Sequence, residues 1–195
     1  GYINFNFTEI NNRQEKKMES YVAFVIAHPL VSAMIQFAIL GTFGDVIAKW
    51  IIEKKVSAPF GLGTLLLKML EWAFLAVLIK YAFSGFNGFV DKLVADGMLP
   101  ELSGPMRAFA ISTTMNLQFG PFLVLMHRLL DNMVAGAKNW ANLDKGFMSL
   151  LWFWIPAHTV TFSLPKPYQI GLAALWSVAL GVILGFYNRQ KAPKQ

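Results

Sequence analysis

Four stretches of this chain run for twenty residues or more without a single Asp, Glu, Lys or Arg: 20–44, 108–127, 146–165 and 167–188. A helix rises about 1.5 Å per residue, so each is long enough to cross a hydrocarbon core of about 30 Å. One such run fits a buried core helix. Four of them predict a polytopic membrane protein. Composition agrees, because 55% of the 195 residues are hydrophobic and only 14% charged, whereas soluble domains carry about 25% charged residues. The fold class expected is all-α, a helical membrane bundle of four to five spanning helices. Residues 1–19 form a polar N-terminal arm, 20–188 a single integral membrane domain and 189–195 a basic tail.

The first run lacks the short apolar core and small-residue cleavage pattern of a secretory signal. The chain starts with Gly, so a processed, truncated or fused start is expected, with Met18 a candidate native one. There are no cysteines, which excludes disulfides and thiolate chemistry. The net charge of +6 is scattered between apolar runs rather than gathered on one polar face. That favours membrane lipids over nucleic acid as the partner. On a five-span count, six basic residues fall on the N-terminal side and nine on the other. This bias puts the C-terminus in the cytoplasm or matrix.

Along the chain, the first span runs from Tyr21 to Ile52, with Pro29 suited to a first helical turn. Asp45 sits late in it, and Lys49 lies at i,i+4, the favoured order for an ion pair. Asp45 is therefore expected to be an interfacial acid, with Gly41 and Gly44 letting another helix approach. The second span, residues 60–86, carries Lys68, Glu71 and Lys80. Lys68 and Glu71 share a face at i,i+3, while Lys68 and Lys80, about 18 Å apart, are spaced to reach opposite interfaces. Residues 87–105 then form a connection, with Phe89, Leu93 and Val94 spaced for a short interfacial helix. The third span, 107–130, holds Asn116 and Gln118 ahead of a Gly120-Pro121 break, and 131–146 is a polar connection in which Trp140 suits a headgroup anchor. Pro156 is expected to kink or break the fourth span. The fifth carries Gly181 and Gly185, a small-residue face open to close helix contact.

No hydrolase, kinase, nucleotide-binding or zinc-protease signature occurs, so no enzyme is expected. His28, His127 and His158 fall in different spans, and neither a metal site nor a cofactor is assigned to them. The polar groups inside spans, Asp45, Lys68, Glu71, Asn116, Gln118 and His158, are the candidate lining of an aqueous cavity. The alternative is that they knit helices together by hydrogen bonds worth about 0.6–2 kcal/mol each.

Two stretches carry a resemblance: "YVAFVIAHP" followed by "GTFGDVIAKW", and "WFWIPAHTVTFSLP" followed by Trp176. Together they resemble the Mpv-seventeen / 22-kDa peroxisomal membrane protein family. The match runs through Tyr21, Pro29, Gly44, Asp45, Ile47 and Ala48, then Trp154, Pro156, Phe162, Pro165 and Trp176. His158 and Thr161 stand where that family usually has an amide and an Asn, and residues 83–94 have no clear counterpart in its pattern. The resemblance implies roughly four spans, no established enzyme activity and channel-like behaviour toward small solutes or ions. It also favours the mitochondrial inner membrane, with peroxisomal and bacterial inner membranes left open. A non-catalytic accessory subunit of a larger bioenergetic complex, or a homo-oligomer, is the competing expectation. Its support is the polar arm, the aromatic fourth span and the Gly181/Gly185 face.

Overall fold

The computed structural model describes the backbone of residues 7–190 and the side chains of residues 10–183. The sequence readings at residues 1–6, in the last residues of the basic tail and at Gly185's surroundings lie outside those described. The described residues are almost entirely helical, and no strand occurs among them.

The first apolar run is two helices rather than one. Helix α1 (Phe7–Ala27) ends where His28 leaves helical geometry at φ −133°, and α2 (Pro29–Glu53) restarts with Pro29 in its first turn. A proline cannot donate the N–H that would continue α1, but it fits a helix start, where that donor has no partner anyway. From residue 10 to residue 20, α1 is exposed on every side.

The second run exceeds its predicted length. Helix α3 (Leu62–Ala95) continues unbroken through Gly85 and Gly88, so the short interfacial helix expected around Phe89, Leu93 and Val94 is the last part of α3 itself. Val90 explains the continuation: it is fully buried in the core, with Leu99 and Leu102 of the following connection packed against that core. Arg107 adds a two-pronged clamp, with Nε 2.9 Å from Asp91 Oδ1 and its other prong 2.8 Å from Asp91 Oδ2.

The third run divides at the predicted Gly120-Pro121 position into α4 (Gly104–Gln118) and α5 (Gly120–Ala135), bent by 51°. A Cβ on Gly120 would lie 2.8 Å from a methyl of Leu150, so the bend brings the fourth run against bare backbone. α5 also extends past the predicted end of its span and takes Asp131 into the helix. The fourth run stays helical through Pro156, but in three pieces. Helix α6 (Leu143–Ser149) passes into a π-helical turn (Leu150–Trp154) and then α7 (Ile155–Ser163). The wider π turn is a way to absorb a proline that lacks the next ladder donor. Helix α8 (Lys166–Gln190) is the last described element.

Helix α2 lies between α3 and α8, α4 packs on α7, and α3 also touches α4 and α5. The α2–α8 contact is made at glycines. A Cβ on Gly181 would sit 2.6 Å from the Gly44 carbonyl oxygen, and one on Gly44 would sit 2.9 Å from the Ser177 carbonyl oxygen. The two backbones therefore meet without side chains between them, the packing mode small residues permit in membranes.

Polarity is distributed inside out. Met34, Ile35, Ile39, Leu66, Leu70 and Phe74 are exposed, whereas Ser32, Lys68, Glu71, Ser112, Asn116 and His158 are buried. Water would penalise that exposed apolar surface; lipid would not. Helices α2 and α3 are long and apolar enough to cross a membrane, and the bent α4–α5 pair makes a third if it counts as one span. The fourth uncharged run falls short because the π turn divides it into helical pieces of 7, 5 and 9 residues.

Candidate functional site

Three pairs of residues spaced i,i+4 converge inside the bundle: Gly41 and Asp45 on α2, Lys68 and Trp72 on α3, His127 and Asp131 on α5. Such spacing puts both members of a pair on one helix face. Gly41 makes room for the indole of Trp72, since a Cβ there would be 2.2 Å from the ring. Seated on that glycine, Trp72 Nε1 donates to Asp45 Oδ2 at 3.1 Å. One turn away, Lys68 Nζ donates to Asp45 Oδ2 at 3.0 Å and to Asp131 Oδ1 at 2.8 Å. The Phe60 ring lies 5.4 Å from the same ammonium, a favourable face for a cation.

Three expectations change here. Asp45 pairs with Lys68 rather than Lys49, which is exposed, because the α2–α3 contact brings Lys68 to the inner face of α2 while Lys49 points outward. Lys68 does not reach for an interface either: only 11% of its side chain is exposed, between two carboxylates. Nor is Glu71 its partner. Glu71 is turned toward His127, with Oε1 3.4 Å from Nε2, and its side chain is 1% exposed. Among the described residues, neither oxygen of Glu71 nor the His127 Nε2 has a hydrogen-bond partner. Trp72 covers the imidazole, the ring centres 4.7 Å apart.

A cavity of about 320 Å³ opens beside this cluster. Asp45, His127, Arg128 and Asp131 line it at one end, Asn116, Ser149, Trp154 and His158 further in, with Ser177 and Gly181 on the α8 wall. Along α2 the lining runs from Phe37 to Ala48. Eleven residues of helix cover about 16 Å, roughly half a hydrocarbon core.

The inner end carries no Asp, Glu, Lys or Arg and is hydrogen-bonded between helices. Asn116 Nδ2 donates to the Ser112 carbonyl at 2.8 Å and to His158 Nδ1 at 3.2 Å, which puts the imidazole proton on Nε2. Ser112 Oγ donates across to the Ile155 carbonyl of α7 at 2.7 Å. The His158 ring stacks on Trp154 and meets the Phe83 ring edge to face, with Phe162 beside it. Trp176 Nε1 of α8 donates to Thr161 Oγ1 of α7 at 3.1 Å.

Of the residues singled out from sequence, Asp45, Asn116, Trp154 and His158 line the cavity, and Lys68 and Glu71 sit just behind its charged end. Gln118 does not belong to the lining: it is exposed, on the far side of α4 from Asn116. Gly44 shapes the α2–α8 contact, Phe162 and Trp176 pack at the inner end, and Pro156 and Pro165 are exposed. The three histidines do not gather: His28 is exposed, while His127 and His158 line the cavity at different ends. Sequence reasoning missed His127 with Asp131, Trp72 and Ser177. The first pair had a signal, an i,i+4 His–Asp spacing, had the helix been carried past Leu130.

No family model matches the chain, and no similar curated protein or solved structure was found.

Proposed function

We propose that the chain is a channel-like integral membrane protein of four to five passes that admits small polar solutes or ions to its bundle. The observation that carries this reading is the cavity itself. It reaches across about half the thickness of a bilayer core and presents three charged side chains at one end. Charged groups within spans are costly and are kept where a cavity or a partner receives them. The neutral, hydrogen-bonded inner end with His158 closes the path, so passage requires that end to loosen. The resemblance to the Mpv-seventeen / 22-kDa peroxisomal membrane protein family supports the same reading and favours the mitochondrial inner membrane. α8 and the fourth run supply the passes beyond the three that length and apolarity alone support.

The test is reconstitution of the pure protein in a planar bilayer. Single-channel conductance is expected, with Asp45→Asn lowering it or altering its ion selectivity. A silent bilayer over a wide voltage range would overturn the proposal.

A second reading rests on α1. A helix exposed and polar all round over residues 10–20 has no apolar stripe with which to fold alone, and such helices gain stability from a partner. On this reading the chain is a non-catalytic accessory subunit of a larger membrane complex. Stoichiometric co-migration with such a complex, extracted in mild detergent and lost on deleting residues 1–20, would favour it.

A further inference from the structure

The geometry points to a binding site for one divalent first-row transition-metal ion, held by Glu71 of α3 with His127 and Asp131 of α5. One donor atom from each of the three lies within 4.8 Å of the others. A tetrahedral site with bonds of about 2.1 Å sets neighbouring donors about 3.4 Å apart. Glu71 Oε1 and His127 Nε2 are separated by that distance, 3.4 Å. They face each other along an edge of the polyhedron, and the third donor is a small side-chain movement away.

An independent observation shows that something is owed to this site. Glu71 is buried, its side chain 1% exposed, and both of its oxygens lack a hydrogen bond. Burying such a group without a partner is expensive, and native proteins rarely leave it so. The nearest ammonium does not meet the need: Lys68 directs two of its three N–H donors to Asp45 and Asp131 and makes no hydrogen bond to Glu71. One imidazole N–H could satisfy at most one of the two oxygens.

The donor set selects the ion class. An imidazole nitrogen with two carboxylate oxygens and no thiolate suits Zn²⁺, Mn²⁺, Fe²⁺ or Co²⁺. Mg²⁺ and Ca²⁺ prefer shells made wholly of oxygen. The surroundings resemble a second layer of support. Lys68 fixes Asp131 through Oδ1, leaving the other carboxylate oxygen for an ion, and Trp72 covers one face of the His127 ring. Three protein donors leave at least one position open, on the side where His127 and Asp131 line the cavity. The site does not depend on whether the cavity conducts.

The experiment uses full-length protein without a histidine tag, purified in detergent, stripped with a chelator and titrated with Co²⁺. One Co²⁺ per chain is expected, giving visible absorption bands of a four- or five-coordinate ion that Zn²⁺ displaces. Glu71→Gln and His127→Gln should each weaken binding by at least about tenfold, with Gln118→Ala unchanged. Absence of bands at millimolar Co²⁺, or binding that survives Glu71→Gln, would overturn the site. Should either variant fail to fold, X-ray absorption of the zinc-loaded natural protein decides. A shell with one imidazole and oxygen donors supports the site, and a shell with two or more imidazoles overturns it.

Discussion

The two ends of the cavity are built from opposite materials. At the outer end three carboxylates, an ammonium and an imidazole are drawn in from α2, α3 and α5, and Glu71 is left without a hydrogen bond. At the inner end Ser112, Asn116, His158, Thr161 and Trp176 are uncharged and linked donor to acceptor between α4, α7 and α8. A satisfied neutral network stabilises a single arrangement. A charge cluster with an unmet group holds its shape only while every charge keeps its partner. The difference separates the part of the bundle that fixes its form from the part able to respond to an ion or solute.

The sharpest way to break this comparison is Lys68→Met. It removes the one cation shared by Asp45 and Asp131 and leaves both carboxylates facing each other across the α2–α5 gap. Because those acids keep partial access to solvent, the loss expected is at the low end for a broken buried pair, about 3 kcal/mol, read as a lowered midpoint of unfolding in mixed micelles. A change below about 1 kcal/mol would show that the outer end is solvated like an ordinary surface pair. At the inner end Ser112→Ala should cost less, about 1–2 kcal/mol in the same assay, because it deletes a neutral bond to the Ile155 carbonyl and a longer one from Asn116 Nδ2. If Ser112→Ala proved the costlier of the two, the contrast between the ends would be reversed. The smallest effect belongs to Gln118→Ala, within about 0.5 kcal/mol, since that side chain faces outward. A Gln118 variant that altered stability or conductance as strongly as one at Asn116 would return it to the cavity wall.

How much of this could be read from sequence depended on the range of the interaction. Prolines act on their own backbone, so Pro29 as a helix start and Gly120-Pro121 as a break were legible, although the π turn ahead of Pro156 was not. Gly41 and Gly44 were legible as places of close approach. What approaches them, Trp72 at one and α8 at the other, depends on helix order in space, which no local pattern encodes. The same limit redirected Asp45. Its i,i+4 neighbour Lys49 was the visible partner, but tertiary packing supplied Lys68, 23 residues away. By sequence Asp131 falls in the polar connection 131–146, beyond the uncharged run, which separates it from His127, its neighbour one turn back on α5. α3 passed its expected end because burial of Val90 outweighs the helix-weakening effect of Gly85 and Gly88.

The length of α3 has a consequence for how the molecule sits. Its 34 residues reach about 51 Å, and even at a tilt of 40°, the upper end of what spanning helices adopt, they project about 39 Å along the bilayer normal. If α3 crosses the membrane, at least about 9 Å along the normal, roughly eight residues at that tilt, stands clear of a core of about 30 Å. The Asp91–Arg107 clamp and the Lys92–Asp96 pair mark the end equipped for water. There the Asp91–Arg107 clamp ties the last turns of α3 to the start of α4.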